Sequence, residues 1–235
     1  MKEPQNIQWK RIAVEAAAIV GSILLAFWID ASWQNRQDVE QGRRLADALV
    51  AELTENDSML AVMISDSRDA SALSRKLLDV MASTGNEQGA NQLRDLGTVF
   101  TMWTWLPDID VYQQAVASGQ LLLIDDSNLR FELAGYYSSL SSVRGVVENI
   151  RTQYHIALEP FLVANTIYTD IAYSGWLKDL PVPPFSTDID SLSTNPELWS
   201  LIALRLEHDL SLTYNLEQAR EAGDELRKSL LVYLN

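Results

Sequence analysis

The sequence contains no cysteine and only two histidines, His155 and His208. Without cysteine there is no disulfide framework, no thiol nucleophile and no thiolate-held metal. Each histidine stands alone in a helical pattern with no second one at metal spacing, so no metal is expected. Phosphate-cradling P-loops, G-x-G-x-x-G turns and G-x-S-x-G elbows are missing as well, and neither a cofactor nor catalysis is expected. The pairs Asp108-x-Asp110 and Asp188-x-Asp190 lack the glycine and closing glutamate of an EF-hand and read as capping or turn residues. Positive charge is also scarce, 18 Lys and Arg against 32 Asp and Glu, for a net charge of −14. Such a surface repels nucleic acid and anionic headgroups, so neither is an expected ligand. No strand-like alternation recurs along the chain.

What the chain has in quantity is apolar residues at helical spacing. Its organising stretch is Arg11 to Asp30, RIAVEAAAIVGSILLAFWID, in which Ile12 to Ile29 holds one ionisable side chain, Glu15. At about 1.5 Å per residue this reaches roughly 27 Å, close to the ~30 Å hydrocarbon core of a bilayer. Trp9 on one side, and Trp28 and Trp33 on the other, occupy interfacial positions. A transmembrane helix over 12–30 is expected. A cleaved signal peptide fits less well, because Phe27, Trp28, Ile29 and Asp30 stand where small residues should mark a cleavage site.

On a helical wheel the span is two-sided. Ile12, Ile19, Ile23, Phe27, Val20 and Leu24 share one half, while Ala18, Ser22 and Ala26 lie on the other with Glu15. Ala13, Ala17 and Gly21 make a second small row on the flank. Both rows are small-xxx-small patterns that let helix backbones approach closely. With one span per chain, the partner would be a second copy or another membrane protein. Three roles are open to Glu15: a pair with Arg11 one turn earlier, a polar contact between helices, or a place on an ion or proton path. Lys10 and Arg11 touch the span directly whereas Asp30 comes first beyond it, so residues 1–11 are expected in the cytoplasm and the remainder periplasmic or extracellular.

Residues 31–235 are expected to form an elongated up-down helical bundle. Ala46, Leu49, Leu53, Asn56, Leu60, Met63, Ser67, Ala70, Ser74, Leu77 and Met81 keep a 3-4 spacing with no proline between them. The membrane helix should therefore run on into this seam, with Gly42 its weakest point. Asn56 either fixes register or marks a solvated edge. Thr84 to Gly89 reads as a turn, Asn91 to Thr101 as a short helix, and Trp103-Thr104-Trp105-Leu106-Pro107 as an aromatic corner. With Tyr112, Trp103 and Trp105 form either a core plug or a recognition surface for a partner or apolar ligand.

Further on, a short helix over Asp108–Ser118 should stop at Gly119, followed by an extended link over Leu121–Ile124. A long helix should start behind Asp125–Asn128, with Leu129, Leu133, Tyr136, Leu140, Val143, Val147, Ile150, Tyr154, Ala157 and Phe161 inward and a kink from Pro160. An irregular insert is expected over 168–195, with Tyr173, Trp176, Leu177 and Phe185 seeking burial. Asn195-Pro196-Glu197 then caps a final helix whose seam is Leu212, Leu216, Ala219, Gly223, Leu226, Leu230 and Tyr233.

The run Glu15…Gly21-Ser22-Ile23-Leu24-Leu25-Ala26…Ile29-Asp30…Trp33…Arg36 resembles the opening of small bacterial single-pass membrane proteins classed as a domain of unknown function. Their later S-G-x-L-x-L-I motif is similar to Ser118-Gly119-Gln120-Leu121-Leu122-Leu123-Ile124, and Leu129 to Tyr137 (LRFELAGYY) resembles their next helix. The likeness covers about a third of the chain. It implies an N-terminal anchor in a bacterial inner membrane with a helical domain attached, and it supplies no activity.

Overall fold

In a computed structural model, residues 9–83, 106–171 and 184–235 are described. All regular structure among them is helical, with no strand. The first helix, α1, is one unbroken rod of 74 residues, Trp9–Ala82, about 110 Å long at the usual rise. No proline interrupts it. Two segments share this rod and differ in surroundings. From Ala13 to Ala31 every residue is exposed, and burial begins at Gly42.

From Gly42 onward the rod is one wall of a bundle. The chain is back beside Asn56 at Asp108 and descends through α2 (Asp110–Ser118) and a 3-10 turn (Gln120–Leu123) to the level of Gly42. It rises again as α3 (Ser127–Gln153), continues through a π-helical turn (Tyr154–Leu158) into α4 (Glu159–Asn165), and passes the short α5 (Tyr168–Ile171) and α6 (Ile189–Ser193). Finally α7 (Pro196–Leu234) returns along α1 and α3 towards Gly42. The three long helices, α1, α3 and α7, are those whose seams the sequence shows.

Local chemistry starts α3 and α7 where the sequence says it should, whereas α2 begins at Asp110, behind Ile109, with no side-chain cap. Asp126 caps α3 by accepting from the Asn128 and Leu129 amides at 2.8 and 3.2 Å. Asn195 caps α7 in the same way, with Pro196 in the first turn. Asp188 caps α6 through the Ser191 amide, and Asp108 accepts from the Asp110 amide. Gly119 ends α2 in the left-handed region at φ 76°, where a glycine is favoured because it lacks Cβ.

Three details depart from expectation. The extended link over Leu121–Ile124 is instead mostly a 3-10 turn, closed by Leu122 N–H to Gly119 O and Ile124 N–H to Leu121 O, both at 3.2 Å. At Ile156 and Ala157, where the Pro160 kink is expected, the helix widens to π geometry, which accommodates the Ile156 carbonyl that proline cannot bond. Gly42 is no weak point but a tight contact, since a Cβ there would collide with the backbone carbonyl of Leu123. Phe185 is exposed rather than buried. Tyr173, Trp176 and Leu177 lie outside the described residues, as do the Thr84–Gly89 turn and the helix over Asn91–Thr101.

The core comes in two parts. Nearer the exposed rod, Ala46, Leu49, Leu53 and Leu60 pack with Leu133, Tyr136, Leu140, Leu212, Leu216 and Leu226. At the far end Leu77 and Met81 meet Phe161, Leu162, Leu192, Leu198 and Ile202. Between them, α1 contributes Ser67, Ser71 and Ser74 and α7 contributes Arg205 and Asp209, all buried.

Candidate functional site

Three places concentrate chemistry: the exposed rod, the corner around Tyr112, and the polar layer between the two cores. On the rod, Ala13, Ala17 and Gly21, and likewise Glu15, Ala18, Ser22 and Ala26, are all exposed. So are the bulky residues, from Val14 and Ile19 to Phe27 and Trp28, at half their surface or more. The Ser22 hydroxyl donates to the Ala18 carbonyl at 2.8 Å, so it is satisfied within its own helix. This is the one helix, among the described residues, long and apolar enough to cross a membrane, with a mean hydropathy of 1.8 and none of its apolar window buried. Among the described residues nothing packs over that window.

The corner is pinned by side chains reaching from α1. Asn56, fully buried, grips the Asp108 backbone from both sides: its Nδ2 donates to the carbonyl and its Oδ1 accepts from the amide, each at 2.7 Å. One turn earlier, Glu52 accepts from the Val111 amide at 2.8 Å and from the Tyr137 hydroxyl of α3. Burial pushes the Glu52 carboxyl above its ordinary range; the Tyr137 and Val111 donors oppose that rise, and the charges of Asp108 and Asp110 add to it. Burial likewise drives the Tyr137 hydroxyl upward, as does its bond to Glu52. Tyr136 is pushed up to about 12 by the same loss of water, against a hydrogen bond with Asn56.

Tyr112 stacks face to face on Tyr137, centroids 3.8 Å apart and planes within 6°, and Tyr136 meets Tyr137 edge-on at 4.9 Å. Tyr112 and Tyr137 line a cavity of about 220 Å³, together with Leu106, Ile109, Leu140 and Arg144 among others. Of the proposed recognition residues, Tyr112 is therefore half-buried in a real aromatic cluster, whereas Trp103 and Trp105 lie outside the described residues. The clip made by Glu52 and Asn56 was only half legible. Asn56 stands on the seam and Glu52 off its strict spacing, so nothing in the pattern marks Glu52 as buried.

In the polar layer the Arg205 Nε donates to both carboxylate oxygens of Asp209, at 3.0 and 2.9 Å, with both side chains almost fully enclosed. Burial pushes the Asp209 carboxyl up, and the Arg205 charge pulls against it. Ser67 donates to the Asp209 carbonyl at 2.9 Å and Thr213 to the Ser67 hydroxyl at 2.9 Å. The hydroxyls of Ser71 and Ser74 are buried without a partner. His155 faces Glu159 at 3.1 Å and His208 faces Gln153 at 3.1 Å. No group of three or more metal-binding side chains occurs among the described residues.

Searches against protein-family models, curated proteins and solved structures find no match to this chain. The likeness to bacterial single-pass proteins therefore rests on its own residues.

Proposed function

We propose that this chain is a non-enzymatic, single-pass membrane protein whose helical bundle stands off the bilayer and whose span assembles with a second copy. It serves as a scaffold, a sensor-like receptor or an accessory subunit of a larger membrane complex. The observation that carries this reading is the exposed apolar stretch of α1, continuous with a packed bundle. Exposing it to water would cost roughly 25 cal/mol for each Å² of apolar surface, which only lipid or another helix relieves. Residues 31–41, about 16 Å of helix, form the stalk between span and bundle. The resemblance to bacterial single-pass proteins favours an inner-membrane location, and the Lys10/Arg11 flank favours a cytoplasmic N-terminus with a periplasmic bundle.

Self-association through the small residues is supported by both rows lying unpacked. The test is the molar mass of the full chain in mild detergent. Ala18→Leu with Ser22→Leu should convert an oligomer to a monomer; unchanged assembly would reject the packing claim. Vesicle reconstitution with Glu15→Gln separates the rival reading of an ion- or proton-conducting oligomer, since a scaffold shows no flux with either form.

A further inference from the structure

The cavity beside Tyr112 has the make-up of a small-molecule site. Its walls are apolar and aromatic: Leu106, Ile109 and Leu140, with the stacked Tyr112 and Tyr137. Its mouth carries Gln113, Ser141 and Arg144. The side chains of all three, and the Tyr112 hydroxyl, make no hydrogen bond or ion pair with the described residues. Several other guanidinium groups on the bundle are already held by carboxylates, as with Arg68 on Glu217, Arg220 on Asp57 and Arg227 on Asp224. The larger cleft of about 360 Å³ between α1 and α2 offers Arg44, but Glu40 already holds that group at 2.7 Å. An uncommitted arginine in a protein of net charge −14, at the rim of an aromatic-walled hollow, selects for an anion with an apolar body. At a share of ~30 Å³ per water the hollow holds roughly seven waters, which fits one ring and a short acid arm rather than a nucleotide or a lipid.

We propose that this cavity binds a small aromatic carboxylate, with the ring against the tyrosine wall and the carboxylate on the Arg144 guanidinium. The walls are held by the Glu52 and Asn56 clips from α1, so the site is built before a ligand arrives. Nothing in it depends on how the spans associate, so it stands or falls separately from the assembly reading.

The test is a fluorine NMR titration of the full chain in detergent with 4-fluorophenylacetate, using 4-fluorophenethylamine as a ring-matched cation. A ligand of this size should saturate with a Kd on the order of 1 mM, and the amine should not saturate. Arg144→Gln, at an exposed position that leaves helicity intact by circular dichroism, should weaken the acid about fivefold or more. Tyr112→Leu should weaken it as well. Absence of saturable binding, equal binding of the amine, or an Arg144→Gln titration that overlays the parent would each overturn the proposal.

Discussion

Glu52 shows how a single buried carboxyl couples this fold to pH. Water is removed from it by α1, α2 and α3 at once, while its two donors hold it in place. Its pKa in the folded chain lies above the value of 4.5 expected for the free side chain. Protonation therefore favours the folded state. The stabilising contribution is whole below about pH 4.5 and is lost as pH rises through the folded pKa. Asp209 acts with the same sign, so the parent curve alone does not isolate Glu52. The difference in unfolding free energy between Glu52→Gln and the parent does. Measured by urea denaturation, it should shift in favour of the variant as pH climbs from 4.5 towards 7. A difference that stays flat over that interval rejects this account of Glu52. Asn56 makes a contrasting point at the same scale. Its amide supplies both a donor and an acceptor to one backbone residue, which neither aspartate nor leucine could do.

At the level of elements, the layer between the two cores decides how α1 and α7 are aligned. An ion pair buried as fully as Arg205–Asp209 adds little net stability over a well-packed apolar pair, but breaking one side of it leaves a charge enclosed. Arg205→Met should cost about 3–5 kcal/mol in urea or thermal unfolding. Arg205→Met with Asp209→Leu should recover most of that loss. Recovery of none of it would mean that the pair does more than satisfy itself. The π turn ahead of Pro160 gives a second element-scale prediction. A π turn holds one residue more than the α turn it replaces, and that extra residue turns Leu158 and Leu162 inward beside Phe161. Deleting His155 should convert it to α geometry and keep Phe161 and Leu162 facing inward, at a loss below about 2 kcal/mol. Deleting Ser142, in regular helix, should rotate everything downstream by roughly 100° and unfold the domain.

For the whole molecule, the continuity of α1 ties the span's azimuth to the bundle's. At about 100° per residue, the row of Ala13, Ala17 and Gly21 centres within about 10° of the direction in which Gly42, Ala46, Leu49 and Leu53 face the bundle. Ala18, Ser22 and Ala26, with Glu15, point about 150° away from it. Two copies joined through the first row would drive their bundles into each other; joined through the second, the bundles splay apart. The proposed pairing is compatible with the second row alone, so Ala17→Leu with Gly21→Leu should disturb assembly far less than the Ala18/Ser22 pair. Helical phase offers an independent check. Two alanines inserted after Val39 turn the bundle by roughly 200° and should abolish assembly, while seven, a net rotation of about −20°, should restore it. Loss of assembly with both insertions, or with neither, would show that the rod does not transmit orientation.

Chain-local chemistry was enough to settle the all-helical class, the long apolar first helix, the seams of α1, α3 and α7, and the caps at Asp126 and Asn195. Periodicity and capping act within a few residues, so the pattern carries them directly. What required the tertiary structure was everything set by residues far apart in the chain. Leu123 decides that Gly42 is a contact rather than a break, and Tyr137 and Val111 make a buried acceptor of Glu52. Arg205 and Asp209 fall between two cores only because α7 folds back along α1. The cavity beside Tyr112 exists because α2 and the segment before it fold against α3. No spacing rule along a single helix contains that information, since it is the bundle that brings those side chains into reach of one another.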